Sequence, residues 1–282
     1  MTFRIAQISD THLSREKPFF AANFLRVAEH VTATRPDLAV NTGDLALDGP
    51  SREDDLAEAR RLHDSIEVPV RFIPGNHDVG DCQDAPGHPD MLPITHARRE
   101  RYLKHFGEDF WQLDVPGWRV IAMNTQLLGS DLLDAAAQLD FLRDAADGCD
   151  GRRIALFVHK PLFHASPDEQ AITGRFVNPV PRRQLLDTFK AHPPALVCSG
   201  HVHQYFLHRV QGAHHLWAPS TAFVLPDAQQ PRYGSKDVGY VEHRLEADGA
   251  HDSRFVAVAG AATLSIADFP QAYGDVAPAA TR

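Results

Sequence analysis

Apolar and polar positions fall into blocks that switch between strand-like and helix-like spacing. Residues 3–9 read as a first strand. In 19–34, Phe24, Val27, Ala28 and Val31 recur at i, i+3, i+4 and i+7, which predicts a helix with one buried face. The apolar run at 38–42 predicts a short buried strand. Residues 52–66 predict a helix with Ser51 as N-cap, Asp54 three residues on, and Leu56, Ala59, His63 and Ile66 along one face. Residues 69–74 predict another strand. The second half alternates less regularly, with strands at 119–124, 153–158 and 195–199. Helices are expected at 134–146, striped by Ala135, Leu139, Leu142 and Ala146, and at 181–191, opened by Pro181. From 204 to 258 short strands turn at Gly212, Gly234 and Gly249. Residues 80–95 hold three prolines and read as a long loop, a candidate lid. This order predicts an α/β (α+β) chain, a β-sandwich flanked by helices. One domain is expected over 1–270, and the Ala- and Pro-rich residues 271–282 read as a loosely held tail.

Composition narrows the classes. A hydrophobic fraction of 43% with 23% charged residues is that of a globular protein. No run approaches the roughly 18 apolar residues of a membrane span. The net charge of −9 argues against a nucleic-acid polymer as partner, because duplex binding requires a clustered basic footprint. A small anionic substrate stays compatible, since metal ions supply local positive charge. Cys82, Cys149 and Cys198 are too scattered for a disulfide framework, and the first strand leaves no room for a signal peptide. Both point to a cytoplasmic protein. Oligomeric state stays open, a homo-oligomer included.

Five short clusters each follow an expected strand: Asp10-Thr11-His12, Gly43-Asp44, Gly75-Asn76-His77-Asp78, His159, and Gly200-His201-Val202-His203. Loops beyond strand carboxyl ends converge on a crevice in sheet-based α/β proteins. Meeting there, Asp10, Asp44, Asn76, His12, His159, His201 and His203 form a mixed oxygen and nitrogen ligand set. Such a set suits Mn, Fe, Zn or Co better than Ca or Mg. Seven ligands exceed one tetrahedral ion and suit two divalent metal ions sharing a bridging carboxylate. Taken singly, Asp-x-His or Gly-Asp is an ordinary turn or cap, and a lone His159 is a core histidine. Five such clusters in order, each at a strand end, are not explained by turns alone.

The series Asp10-x-His12, Gly43-Asp44, Gly75-Asn76-His77-Asp78, His159, Gly200-His201-x-His203 resembles the calcineurin-like metallophosphoesterase superfamily. The Ile-Ser-Asp-Thr-His opening and the Asn-Thr-Gly-Asp-Leu segment are most similar to its class III cyclic-nucleotide phosphodiesterase and glycerophosphodiesterase branch. The resemblance implies a four-layer αββα sandwich of two mixed sheets and a dinuclear centre. It implies that Asp10, His12 and His203 hold one metal, Asn76, His159 and His201 the other, and that Asp44 bridges both. His77 would be catalytic, facing the substrate with Asn76 and protonating the leaving oxygen as a metal-bridging hydroxide attacks a small phosphodiester. Phosphomonoesterase and nuclease activity are the alternatives for the same site, and a non-catalytic scaffold is a third reading. Asp78 is expected to orient a ligand or cap the turn. His88, His96 and His164 read as loop histidines, and Arg175, Arg182 and Arg183 as solvent-facing charges.

Overall fold

The computed structural model describes residues 1–82 and 91–273. In chain order the first half forms β1 (Thr2–Ile8), α1 (Ala21–Thr34), β2 (Leu38–Asn41), α2 (Glu53–His63), β3 (Val70–Phe72), α3 (Asn76–Val79) and α4 (His96–Phe106). The second half adds β4 (Trp111–Val115), β5 (Trp118–Ala122), α5 (Leu133–Asp147), β6 (Arg153–Phe157), α6 (Pro179–Thr188) and β7 (Leu196–Ser199). It closes with β8 (Phe206–Val210), β9 (Ala213–Trp217), β10 (Tyr240–Glu246), β11 (His251–Val256) and α7 (Pro270–Tyr273).

The strands form two mixed sheets, ordered β11-β10-β1-β2-β3 and β4-β5-β6-β7-β9-β8. Strand periodicity sorts side chains between layers. Ile5 points between the sheets with Val40, Trp118, Ala155, Phe157 and Cys198. Its neighbours Ala6 and Ile8 point outward and pack against Phe24, Val27 and Leu56 of α1 and α2. On the far side, Leu142 and Leu185 of α5 and α6 cover Ile154 and Leu156. Helix, sheet, sheet and helix thus stack as the expected αββα sandwich. β1, β2 and β3 run parallel, as do β5, β6, β7 and β9. The carboxyl ends of β1, β2, β3, β6 and β7 therefore open on one edge of the sandwich.

Several local expectations need correction. Helix α2 is capped by Arg52 with no side-chain hydrogen bond, so Ser51 is not its N-cap. Helix α6 opens at Pro179, two residues before Pro181. Helix α4 and strand β4 have no counterpart in the periodicity. In α4 the buried side chains are Arg99, Tyr102 and Phe106, and Arg99 is neutralised by Asp109 at 2.7 Å and Asp134 at 2.9 Å. A charged residue takes a core position there, which hides the apolar stripe. The first residues of the expected tail, 271–273, belong to α7; residues 274–282 and 83–90, with His88, lie outside the described residues.

Candidate functional site

All five clusters meet at that edge of the sandwich. The β1 and β2 loops are laced by backbone bonds from Asp10 N to Gly43 O (2.9 Å) and from Thr11 N to Asp44 O (2.8 Å). The carboxylate of Asp78 ties in the β3 loop, accepting from Gly75 N at 2.8 Å, Leu45 N at 3.2 Å and Ala46 N at 2.8 Å. Asp78 thus caps α3 and holds the Asp44 loop at once. The His201 N–H donates to Asp10 Oδ2 at 3.0 Å, joining the β7 loop to the β1 loop across the two sheets.

The backbone is unusual here. Asp10, His12, Asp44, His201 and His203 all have φ between 44° and 66°, five of the eight non-glycine residues with positive φ among those described. Each such conformation costs on the order of 1–3 kcal/mol and persists only where its surroundings enforce it. Two glycines are required by crowding rather than by φ. A Cβ on Gly75 would overlap Asp44 Oδ1 and the His159 ring, and one on Gly200 would overlap Ser9 Oγ and Asp10 Oδ2. At both positions the crowding comes mainly from the side chains of the neighbouring loops.

Ring nitrogens and carboxylate oxygens converge on two adjacent points. Around the first, His203 Nε2 lies 3.3 Å from Asp10 Oδ1 and 3.2 Å from His12 Nε2. Around the second, His159 Nε2 lies 3.1 Å from both Asn76 Oδ1 and His201 Nδ1. Asp44 stands between, with Oδ2 3.9 Å from His12 Nε2 and Oδ1 3.4 Å from His159 Nε2. The outward nitrogens are engaged by backbone carbonyls: His159 Nδ1 donates to Thr42 O (2.8 Å), His203 Nδ1 to Phe223 O (2.9 Å) and His201 Nε2 to Gly174 O (2.8 Å). In the neutral rings those bonds leave the inward nitrogens as lone pairs facing one another. Lone pairs gathered this closely repel unless a cation or proton lies between them, and an outer donor bond of this kind is the usual accompaniment of a metal-ligating histidine. The donor set therefore fits divalent cations. Asp10/His12/His203 and Asp44/His159/His201 each form a group within 4.8 Å; His12/Asp44/His77 does so as well.

Charge follows from burial and neighbours. Burial opposes charge on Asp44, but His159, His77 and His12 outweigh it and hold its carboxyl well below the ordinary range. Burial drives His12 and His201 well below the ordinary imidazole range, so both are neutral and ligand-ready. For His159 burial also disfavours the cation, yet the Asp44 and Asp10 carboxylates raise it to about 9. Burial and the Asp44 charge push Asp78 up to about 7.

A cavity of about 1060 Å³ opens over these groups, lined by Asn76, His77, His201 and His203 on its floor. Its walls are mixed, with Leu47, Met91, Ile172 and Phe223 beside Lys17, Arg52 and Arg175. Asp81 and Met91 bring both described ends of the expected lid loop to this wall, and Asp81 is held by Lys160 Nζ at 2.6 Å. Arg175 thus reaches the cavity, whereas Arg183 pairs with Asp168 on the surface. Arg182 corrects its expectation: it is buried and donates to the carbonyls of Leu162 and Val177. His96 is an exposed partner of Glu100, and His164 packs on Tyr233, 4.3 Å between ring centroids. The periodicity gave no sign of Tyr273, which enters from α7 and places its hydroxyl 2.6 Å from His12 Nδ1.

A family model described as calcineurin-like phosphoesterase matches residues 3–205. The chain is 29% identical over 262 residues to the 3',5'-cyclic adenosine monophosphate phosphodiesterase CpdA of Pseudomonas aeruginosa, covering 87% of this chain and 86% of that one. It is 30% identical over 182 residues to the serine/threonine-protein phosphatase CPPED1 of Danio rerio, covering 60% of this chain and 55% of the relative. The fold is similar to that of a dimetal phosphatase from Danio rerio, with a TM-score of 0.60 at 14% identity over 90% of this chain and 96% of the other.

Proposed function

The chain belongs to the calcineurin-like phosphoesterase family of metal-dependent phosphoester hydrolases, and on that footing we propose that it cleaves phosphodiester bonds of small molecules, of the cyclic-nucleotide or glycerophosphodiester kind, using two divalent cations. The observation that carries the proposal is Asp44, whose two oxygens face two separate clusters of imidazole lone pairs. In this reading Asp10, His12 and His203 hold one cation, Asn76, His159 and His201 the other, and Asp44 both. The mixed oxygen and nitrogen donors favour Mn, Fe, Zn or Co. A cation pair of this kind neutralises phosphate oxygens and makes water a nucleophile near neutral pH.

The protein's own groups supply the rest. His77 donates its Nδ1–H to Leu47 O at 3.0 Å, which fixes the ring and aims Nε2 at the cavity. As an imidazolium, His77 gives its Nε2 proton to the leaving alkoxide, help typically worth about 10²–10⁴-fold. Asn76 lies beside it on the cavity floor and steadies a phosphate oxygen. Arg175 and Lys17 line the walls, placed to attract an anion, whereas Arg52 is paired with Glu16 at 2.6 Å, and Ile172, Leu225 and Phe223 offer apolar surface to the substrate's organic part. The likeness to CpdA supports a diester substrate. None of the described helices is long and apolar enough to cross a membrane, and Cys149 and Cys198 are buried thiols, which agrees with a cytoplasmic setting.

The similarity to CPPED1 favours a second reading, a phosphomonoesterase on the same centre. Rates on bis-p-nitrophenyl phosphate, p-nitrophenyl phosphate and 3',5'-cyclic AMP with metal-loaded protein separate the two. The diesterase reading expects the diesters to turn over faster, and a monoester preference of tenfold or more would reverse it.

A further inference from the structure

Three of the four inward-facing histidines are held by backbone carbonyls, and the fourth is not. His12 Nδ1 meets the Tyr273 hydroxyl at 2.6 Å instead. Tyr273 lies 68 residues beyond the end of the family match at 205. Its ring stands 5.9 Å from His12 and 5.1 Å from His77, centroid to centroid. The segment that delivers it is firmly seated. Phe20, Leu47, Phe223, Ile266 and Ala272 form a buried apolar cluster against which Phe269 and Tyr273 pack. Val224 N and Ile266 N exchange backbone bonds with Leu264 O and Val224 O at 2.8 and 3.1 Å. Lys17 Nζ donates to Ala272 O at 3.0 Å. The same cluster supplies two other outer acceptors of the site, Leu47 O for His77 and Phe223 O for His203.

We propose that Tyr273 is a positioning residue for His12, accepting its Nδ1–H so that the Nε2 lone pair faces the Asp10/His203 cation. This rests on the two-cation reading above. The consequence is that the first metal position depends on a C-terminal segment outside the matched family region. Removing an outer partner of a ligating histidine typically lowers metal affinity or activity about 10–100-fold.

The test is a Co(II) titration of metal-free full-length protein, followed by visible absorption and by competition with a chelator. Wild type is expected to take up two equivalents. In Tyr273→Phe, which keeps the ring and removes only the hydroxyl, one equivalent should weaken by about 10–100-fold while the other stays unchanged. The melting temperature of the metal-free variant should match wild type, which a loss of general packing would not allow. If it does not, Lys17→Met, which loosens the segment without touching the tyrosine, is expected to weaken the same equivalent. Two equivalents bound as in wild type by both variants would overturn the role of Tyr273 and leave the two-cation reading intact. A wild type that binds no second equivalent would overturn both.

Discussion

His63 allows a pH effect to be worked out from geometry. It is fully buried between Phe24 and Phe72, 4.4 and 5.3 Å away by ring centroids. Its Nδ1–H donates to Ala59 O at 2.7 Å, and its Nε2 accepts from Asn41 Nδ2 at 2.8 Å. Asn41 cannot turn to receive a proton without releasing Gly43 N, which its Oδ1 holds at 3.0 Å beside Asp44. Burial accordingly lowers His63 from the ordinary 6.5 to about 4. A base depressed in the folded state contributes stability that is complete above pH 6.5 and lost as the pH falls through 6.5 toward 4. Linkage over that interval gives a loss of about 2 kcal/mol at pH 5 and about 3 kcal/mol at pH 4. The perturbation is His63→Gln, which cannot titrate. Urea unfolding of both metal-free proteins at pH 7.5 and 5 is the assay, because the difference between them removes every other titrating group. Wild type should be the more stable at pH 7.5, and its advantage should shrink by about 2 kcal/mol at pH 5. An advantage that stays constant within about 0.5 kcal/mol would refute the reasoning, given that linkage leaves no other route for His63 to act on pH.

Three other outcomes are expected. His77→Ala should keep both cations by elemental analysis and lose roughly 10²–10⁴-fold in kcat, the range of general acid help; turnover within threefold of wild type would remove His77 from proton transfer. Gly75→Ala places a Cβ against Asp44 and His159, so thermal unfolding should show a loss of about 1–3 kcal/mol, the usual range for overpacking, together with weakened metal binding; an unchanged protein would mean that the two loops yield easily. His159, raised to about 9 without metal, must lose a proton to bind one. Apparent affinity should therefore climb with pH up to about 9, with proton release visible by calorimetry in buffers of different ionisation heat. A pH-independent affinity between 7 and 9 would contradict that protonation state.

Much of the sandwich was legible because strand and helix periods are clean where one face is buried, as at Phe24, Val27, Ala28 and Val31 of α1. The loops of the candidate site were legible for another reason: Asp10, Asp44, Asn76 and the histidines follow apolar runs at strand ends, where polar residues have little structural purpose. Helix α4 was hidden because Arg99 occupies a core position through ion pairs, and ion pairing has no sequence period. Arg182 was misread for a similar reason, since a buried guanidinium served by carbonyls looks like any surface arginine in the sequence. Tyr273 could not be foreseen from spacing. Its role depends on a contact across 261 residues of chain, and its neighbours are alanine and proline-rich. The left-handed backbone of five expected ligands was equally silent, because histidine and aspartate carry no compulsory turn signal.

The most direct test is anomalous diffraction from crystals of the protein loaded with Mn or Zn. Two peaks are predicted about 3.5–4 Å apart, the usual spacing of paired catalytic cations. One should be bounded by Asp10, His12 and His203, the other by Asn76, His159 and His201, with an oxygen of Asp44 on each. A single peak, or none at these side chains, in crystals of protein that still hydrolyses bis-p-nitrophenyl phosphate would contradict the account.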